Sequence, residues 1–141
     1  MGDVTKIFAV YKDPWWRKNG YTGIILNTEK EELFQVSFDN SDVDAKKGVL
    51  FAFCIGNKSK IYQSLTPEER QKKVLDAFAR CLGKQAYDIE GFYDHTFTND
   101  PFTMGCYAGM MGLNSWSNFG EAVRKPVGNI HWAGKWWFLI D

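Results

Sequence analysis

The sequence predicts an α+β fold, with a mixed or antiparallel sheet and one or two helices on a face. Two observations carry that expectation. Short runs rich in β-branched and aromatic residues recur at 6–11, 33–39 and 49–56. One longer segment, opening at Thr66, carries a full set of helix-start and helix-stop signals. At 141 residues the chain suits one domain with a real core, and it contains no internal repeat or low-complexity stretch.

In chain order, "KIFAVY" (6–11) is the first strand, broken by Asp13-Pro14. "WWRKNGYTG" (15–23) follows as a loop with Asn19-Gly20 as its turn signal. "GIILN" (23–27) and "LFQVSFD" (33–39) are further strands. In the second, Phe34, Val36 and Phe38 alternate with Gln35 and Ser37, the period of a half-buried strand. After a polar loop (40–48), "VLFAFCIG" (49–56) is a continuous apolar run, which predicts a central strand buried on both faces. "IYQSL" (61–65) is a short helix. In the main helix Thr66 is the N-cap, Pro67 takes the first position and Glu69 completes a capping box. Val74, Leu75, Phe78 and Leu82 share one face, and Gly83 stops the helix. A strand is expected within 85–100. The glycine- and methionine-rich segment 102–120 is mostly loop. A helical turn over 118–123 ends before Pro126, and 130–133 forms a closing strand.

Bulk properties exclude several classes of function. Apolar residues make up 45% and charged residues 24%, an ordinary globular balance. The formal net charge is zero, which argues against a nucleic-acid partner, because phosphate binding needs a basic excess. No window reaches transmembrane length, and Asp3 and Lys6 interrupt any signal-peptide-like start. Three scattered cysteines form neither a disulfide framework nor a zinc spacing, so an intracellular setting is expected. The aromatic share is 16%, from six Trp, six Tyr and eleven Phe; such rings fill cores and also line pockets for flat or apolar ligands.

The residues alone name no chemistry. His95 and His131 are the only histidines and sit in no metal-ligand spacing, so no metal site is expected. There is no GxSxG, CxxC or Walker loop. "GCYAGMMG" (105–112) is not GxGxxG and is a flexible loop where backbone can approach a ligand.

Taken in order, however, several stretches resemble flavin-dependent amine oxidases of the monoamine oxidase type. "TKIFAVYKDPWWRKNGYTG" (5–23) is similar to that family's strand with a lysine near its start, followed by a Pro-aromatic-Trp-Arg loop and a Gly-Tyr-x-Gly turn. "SLTPEERQKKVLDAFARCLG" (64–83) resembles its capped helix, and "DPFTMGCYAG" (100–109) its active-site loop. "EAVRKPVGNIHWAG" (121–134) resembles the run leading into its flavin-binding C-terminal segment. No single motif decides; four in the right order and spacing are specific.

The resemblance implies an FAD enzyme in two parts, a Rossmann-like domain and an inserted substrate domain. Residues 1–128 resemble the later part of the substrate domain, 129–134 the start of the return strand to the FAD domain, and 135–141 are a divergent tail. The GxGxxG unit is absent, so the chain is expected to be a piece of a longer enzyme and inactive by itself. Lys6 matches the lysine that holds a water against the flavin N5 edge. Tyr107 matches one of two aromatics that sandwich the substrate amine. Cys106 matches the position of a covalent thioether to FAD in animal monoamine oxidases; other members lack the link, and both outcomes stay open. Phe97 stands where many members have a tryptophan packed near the flavin. Trp132, Ala133 and Gly134 are expected to approach the FAD as the chain re-enters the Rossmann domain. Trp15 and Trp16 are expected to pack internally.

The function implied is oxidation of a small-molecule amine to an imine and then an aldehyde, with O2 reduced to H2O2. The alternatives are a stand-alone module binding an amine or apolar ligand, and a truncated product without a role of its own. In the latter case exposed apolar surface would drive self-association.

Overall fold

The computed structural model describes residues 2–44, 46–107 and 112–132. Five strands form one sheet: β1 (Val4–Tyr11), β2 (Ile25–Leu26), β3 (Val36–Asp39), β4 (Gly48–Ile55) and β5 (Ile89–Thr96). The order across the sheet is β2-β3-β4-β1-β5, and every neighbouring pair is antiparallel. The helices are α1 (Trp15–Lys18), α2 (Asn57–Gln63), α3 (Pro67–Leu82) and α4 (Ser115–Arg124), with 3₁₀ turns at Lys84–Tyr87 and Phe97–Asn99.

Helix α3 forms where the sequence demands it. Glu69 N donates to Thr66 Oγ1 (3.3 Å) and Thr66 N donates to Glu69 Oε2 (2.9 Å), closing the capping box. Gly83 ends the helix with φ 95°, a conformation that costs glycine little. Val74, Leu75, Ala77, Phe78 and Leu82 are buried against the sheet. They meet Ile7, Ala9 and Tyr11 of β1 and Leu50, Ala52 and Cys54 of β4 in one core cluster. Phe34 packs on Phe78 with centroids 5.1 Å apart, and the Tyr11 hydroxyl donates to the Ala86 carbonyl at 3.0 Å. Burial pushes the Cys54 thiol up to about 12, so it stays protonated inside that core.

Several elements differ from expectation, among them α4, which extends the turn expected over 118–123 into the helix Ser115–Arg124. The loop drawn for 15–23 begins as the one-turn helix α1, because Trp15 and Trp16 both turn into the core and meet Tyr11 edge-on at 6.1 and 5.5 Å. The strand expected over 33–39 is only Val36–Asp39; Phe34 before it is buried, but within β3 Ser37 lies on the helix-covered face, where its hydroxyl donates to the Gly23 carbonyl (3.2 Å), while Phe38 is 38% exposed. Strand β4 is central but is not buried on both faces, since Val49, Phe51 and Phe53 are only half-buried and Ile55 is exposed. Near the C-terminal end of the described residues, a single bridge joins Val127 and Ile130 and no longer strand forms through Trp132. Ala133 and Gly134 lie outside the described residues, as does the tail 135–141.

Candidate functional site

Side chains alternate across a strand, so the register sorts the sheet into two faces. Thr5, Ile7, Ala9 and Tyr11 point to the helices; Lys6, Phe8 and Val10 point away. Pairing carries the second set across the sheet. Lys6 is opposite Phe53 and His95, Phe8 opposite Phe51 and Tyr93, and Phe38 opposite Phe51. This second face is a field of rings that no described helix covers. Phe8 stacks on Phe51 (5.0 Å), Phe51 meets Phe53 (4.4 Å), and Phe38 reaches both at 6.5 and 6.4 Å.

Lys6 is the cation set among them. Its Nζ lies 5.1 Å from the Phe97 ring centroid and 6.0 Å from that of Phe51, within cation–π range. Among the described residues no carboxylate pairs with it. Its ammonium protons therefore face aromatic surface and whatever occupies the space above the sheet. Phe97 opens the 3₁₀ turn after β5, and the His95 ring meets it edge-on at 4.7 Å.

The loop after that turn returns to the same face. Asp100 accepts the backbone N–H groups of Phe102 (2.8 Å) and Thr103 (3.4 Å), which fixes the first bend. Cys106 N donates to the Gly2 carbonyl at 2.9 Å, and the Cys106–Tyr107 peptide bond is cis. Tyr107 then sets its ring against Phe53, centroids 5.6 Å apart. Burial, with the nearby Cys106, pushes the Tyr107 phenol up to about 12, so the ring is neutral throughout the physiological range.

Of the residues singled out in the sequence, Lys6, Phe97 and Tyr107 thus converge on one sheet face, with half-buried Cys106 beside Tyr107. Trp132 does not join them: it is 48% exposed and donates its indole N–H to the Lys125 carbonyl at 3.2 Å. Sequence reasoning missed Phe8, Phe38, Phe51 and Phe53. The signal was in β4, where Phe51 and Phe53 alternate with the small residues Ala52 and Cys54.

The model of the family described as flavin containing amine oxidoreductase matches residues 1–139. The chain belongs to this family. A "Probable flavin-containing monoamine oxidase A" of Dictyostelium discoideum is 35% identical over 95% of the chain and 29% of its own length. An L-amino acid dehydrogenase of Synechocystis sp. is 34% identical over 95% of the chain and 28% of its own length. Among solved structures, cyclohexylamine oxidase from Brevibacterium oxydans IH-35A superposes with a TM-score of 0.80 at 30% identity, covering 95% of this chain and 29% of that one. The chain therefore spans less than a third of these relatives. FAD is the cofactor implied for full-length members of this flavin-containing family, and the amine oxidase fold accounts for the antiparallel sheet with helices on one face.

The residues present fit part of that cofactor. Flat rings and one ammonium suit the edge of an isoalloxazine. The 141 residues contain no GxGxxG turn to receive a pyrophosphate. Among the described residues no helix is long and apolar enough to cross a membrane, and no group of three His, Cys, Asp or Glu side chains could hold a metal ion.

Proposed function

We propose that this chain forms the substrate-side wall of an FAD-dependent amine oxidase, with the ring-lined sheet face turned toward amine and cofactor. The observation that carries the proposal is the convergence of Lys6, Phe97 and Tyr107 on one uncovered face. The chemistry supplied by bound FAD is acceptance of a hydride from the carbon bearing the amine, with O2 as final electron acceptor and H2O2 as product. The chain's own residues do the rest. Tyr107, neutral and braced on Phe53, orients the substrate nitrogen by its ring face. The Lys6 ammonium donates to a water and holds it at the reacting edge. Phe97 would pack beside the cofactor, with Cys106 next to Tyr107 at the position of the thioether that some members form and others lack. In a full-length enzyme Trp132, followed by Ala133 and Gly134 outside the described residues, would lead toward the cofactor domain.

The face also supports an amine over an amino acid as substrate. Among the described residues it carries Lys6 and His95 and no arginine. With Lys6 engaged on water, little is left to hold a substrate carboxylate. Without a GxGxxG turn, the 141-residue chain by itself is expected to bind no flavin and to be inactive; the same uncovered face then favours self-association.

A chimera tests the reading: this chain replaces the matching segment of the Brevibacterium cyclohexylamine oxidase. The expected result is a yellow protein that releases H2O2 with primary amines and loses at least about tenfold in turnover on Lys6→Met, equivalent to about 1.4 kcal/mol of barrier. A yellow chimera whose turnover is indifferent to Lys6→Met would refute the assignment.

A further inference from the structure

The dipeptide before β1, Gly2-Asp3, bonds to the turn that carries Phe97 and to the loop that carries Tyr107. Asp3 Oδ1 accepts three hydrogen bonds, from Thr98 Oγ1 (2.8 Å), Ser59 Oγ (2.9 Å) and Gln63 Nε2 (3.1 Å). Its carbonyl accepts the Gly56 N–H at 2.7 Å, at the start of α2. Ser59 Oγ continues the network to Thr5 Oγ1 (2.8 Å), and Thr5 Oγ1 to Thr96 Oγ1 (2.8 Å), so hydroxyls link α2, β1 and β5 just beneath Lys6. Thr5 and Ser59 are fully buried there. Thr98 lies in the turn Phe97–Asn99, so the Asp3 carboxylate holds the turn whose first ring faces the Lys6 ammonium.

Gly2 performs the matching task for the loop. Its carbonyl accepts the Cys106 N–H, and the two backbones lie so close that a Cβ on Gly2 would sit 2.4 Å from the Cys106 carbonyl oxygen and 3.4 Å from Tyr107 N. The obstruction is backbone, so a side chain at this position could not be relieved by rotating a rotamer away.

We propose that Gly2 and Asp3 are positioning residues that fasten the Phe97 turn and the Cys106–Tyr107 loop to the strand bearing Lys6. The functional meaning rests on the amine oxidase reading above; the geometry does not, and it can be tested apart from activity. Two NMR signals of the isotope-labelled 141-residue chain report it: the ring-current shift of the Lys6 Cε protons from Phe97, and the cross-peak between the Tyr107 and Phe53 rings. Thr98→Val, at an exposed position, is expected to remove more than half of the Lys6 ring-current shift, and Thr98→Ser to restore it. Gly2→Ala is expected to abolish the Tyr107–Phe53 cross-peak while that between Phe51 and Phe53 persists. Asp3→Asn, which keeps an acceptor oxygen, is expected to retain both signals. Unchanged signals in Thr98→Val and Gly2→Ala would overturn the proposal. So would their loss only together with the cross-strand peaks of β1 and β4, which would make the junction a general element of the fold. If instead the signals behave as expected and the chimera ignores Lys6→Met, the oxidase reading fails and the junction stands.

Discussion

Asp39 closes β3 and holds the outer strands that carry Phe38 onto the ring-lined face. Its Oδ2 accepts Trp16 Nε1 (2.8 Å) and Arg17 Nε (2.5 Å), and its Oδ1 accepts Ser41 N (2.9 Å). Burial alone would raise this carboxyl; the hydrogen bonds from Arg17, Ser41 and Trp16 outweigh it and bring the group from 3.8 down to about 2. Asp39 is 11% exposed and its partner Arg17 38%, so solvent screens part of the pair, and a fall of that size is equivalent to at most about 2 kcal/mol at 1.36 kcal/mol per pH unit. The folded value lies below the ordinary one. The stabilisation is therefore complete above about pH 5 and is lost as pH falls toward 2. Asp39→Asn removes the charge and keeps the shape. Urea unfolding followed by tryptophan fluorescence, with Trp15 and Trp16 both buried, should show the variant less stable by at most about 2 kcal/mol at pH 7. The gap should narrow below pH 5 and close near pH 2. A gap constant from pH 7 to pH 2 would show that the ionised carboxylate is not what holds Trp16 and Arg17, and would refute the reasoning.

Three further expectations follow from packing. Gly48→Ala would bring a Cβ to 2.5 Å from the Asp13 carbonyl oxygen and 2.8 Å from Pro14 N. Overpacking against backbone should cost about 1–3 kcal/mol in denaturant unfolding, and a neutral substitution would contradict so close an approach of the two segments. Thr66→Ala deletes the acceptor for Glu69 N and should lower stability by about 1 kcal/mol, with faster amide exchange confined to the first turn of α3. The isolated chain should sediment above monomer mass at high concentration. Because Leu26 and Tyr93 are 72% and 64% exposed on the uncovered face, Leu26→Lys with Tyr93→Lys should return it to monomer, and a wild-type monomer at every concentration would count against that face as the contact.

Local chemistry made helix α3 legible. The α3 cap, the buried stripe through Val74 and Phe78, and the glycine stop all depend on residues within one helix, and all are where the sequence signals them. The same is true of β1, and of Trp15 and Trp16 as packing residues. What the alternation in 33–39 could not reveal is which face the helices cover. Period two separates Ser37 from Phe38 but does not say which lies inward, since both sets can be buried when each face has a partner. The convergence of Lys6, Phe97 and Tyr107 depends on pairings between residues about ninety positions apart, β1 with β5, and on a loop that folds back onto Gly2. Only the family resemblance brought those three residues together in advance.

The distribution of side-chain volume between the two faces bears on what the uncovered one is for. On the helix-covered face the sheet presents Ile7, Ala9, Tyr11, Leu50, Ala52 and Cys54, so large residues alternate with small ones, and they pack with Phe34, Tyr62, Phe78 and Trp16. On the other face the same strands present Phe8, Phe38, Phe51 and Phe53, whose rings meet only one another, Tyr107 and the Lys6 ammonium among the described contacts. A sheet face that served only to meet water would lower its free energy with polar side chains at these positions. Contiguous half-exposed rings around a single cation are costly in water and useful against a flat, partly apolar partner. Large apolar side chains therefore stand on both faces of the sheet, and the helices bury only one of those faces. The rings of the second face wait for the amine and cofactor side of the proposed enzyme.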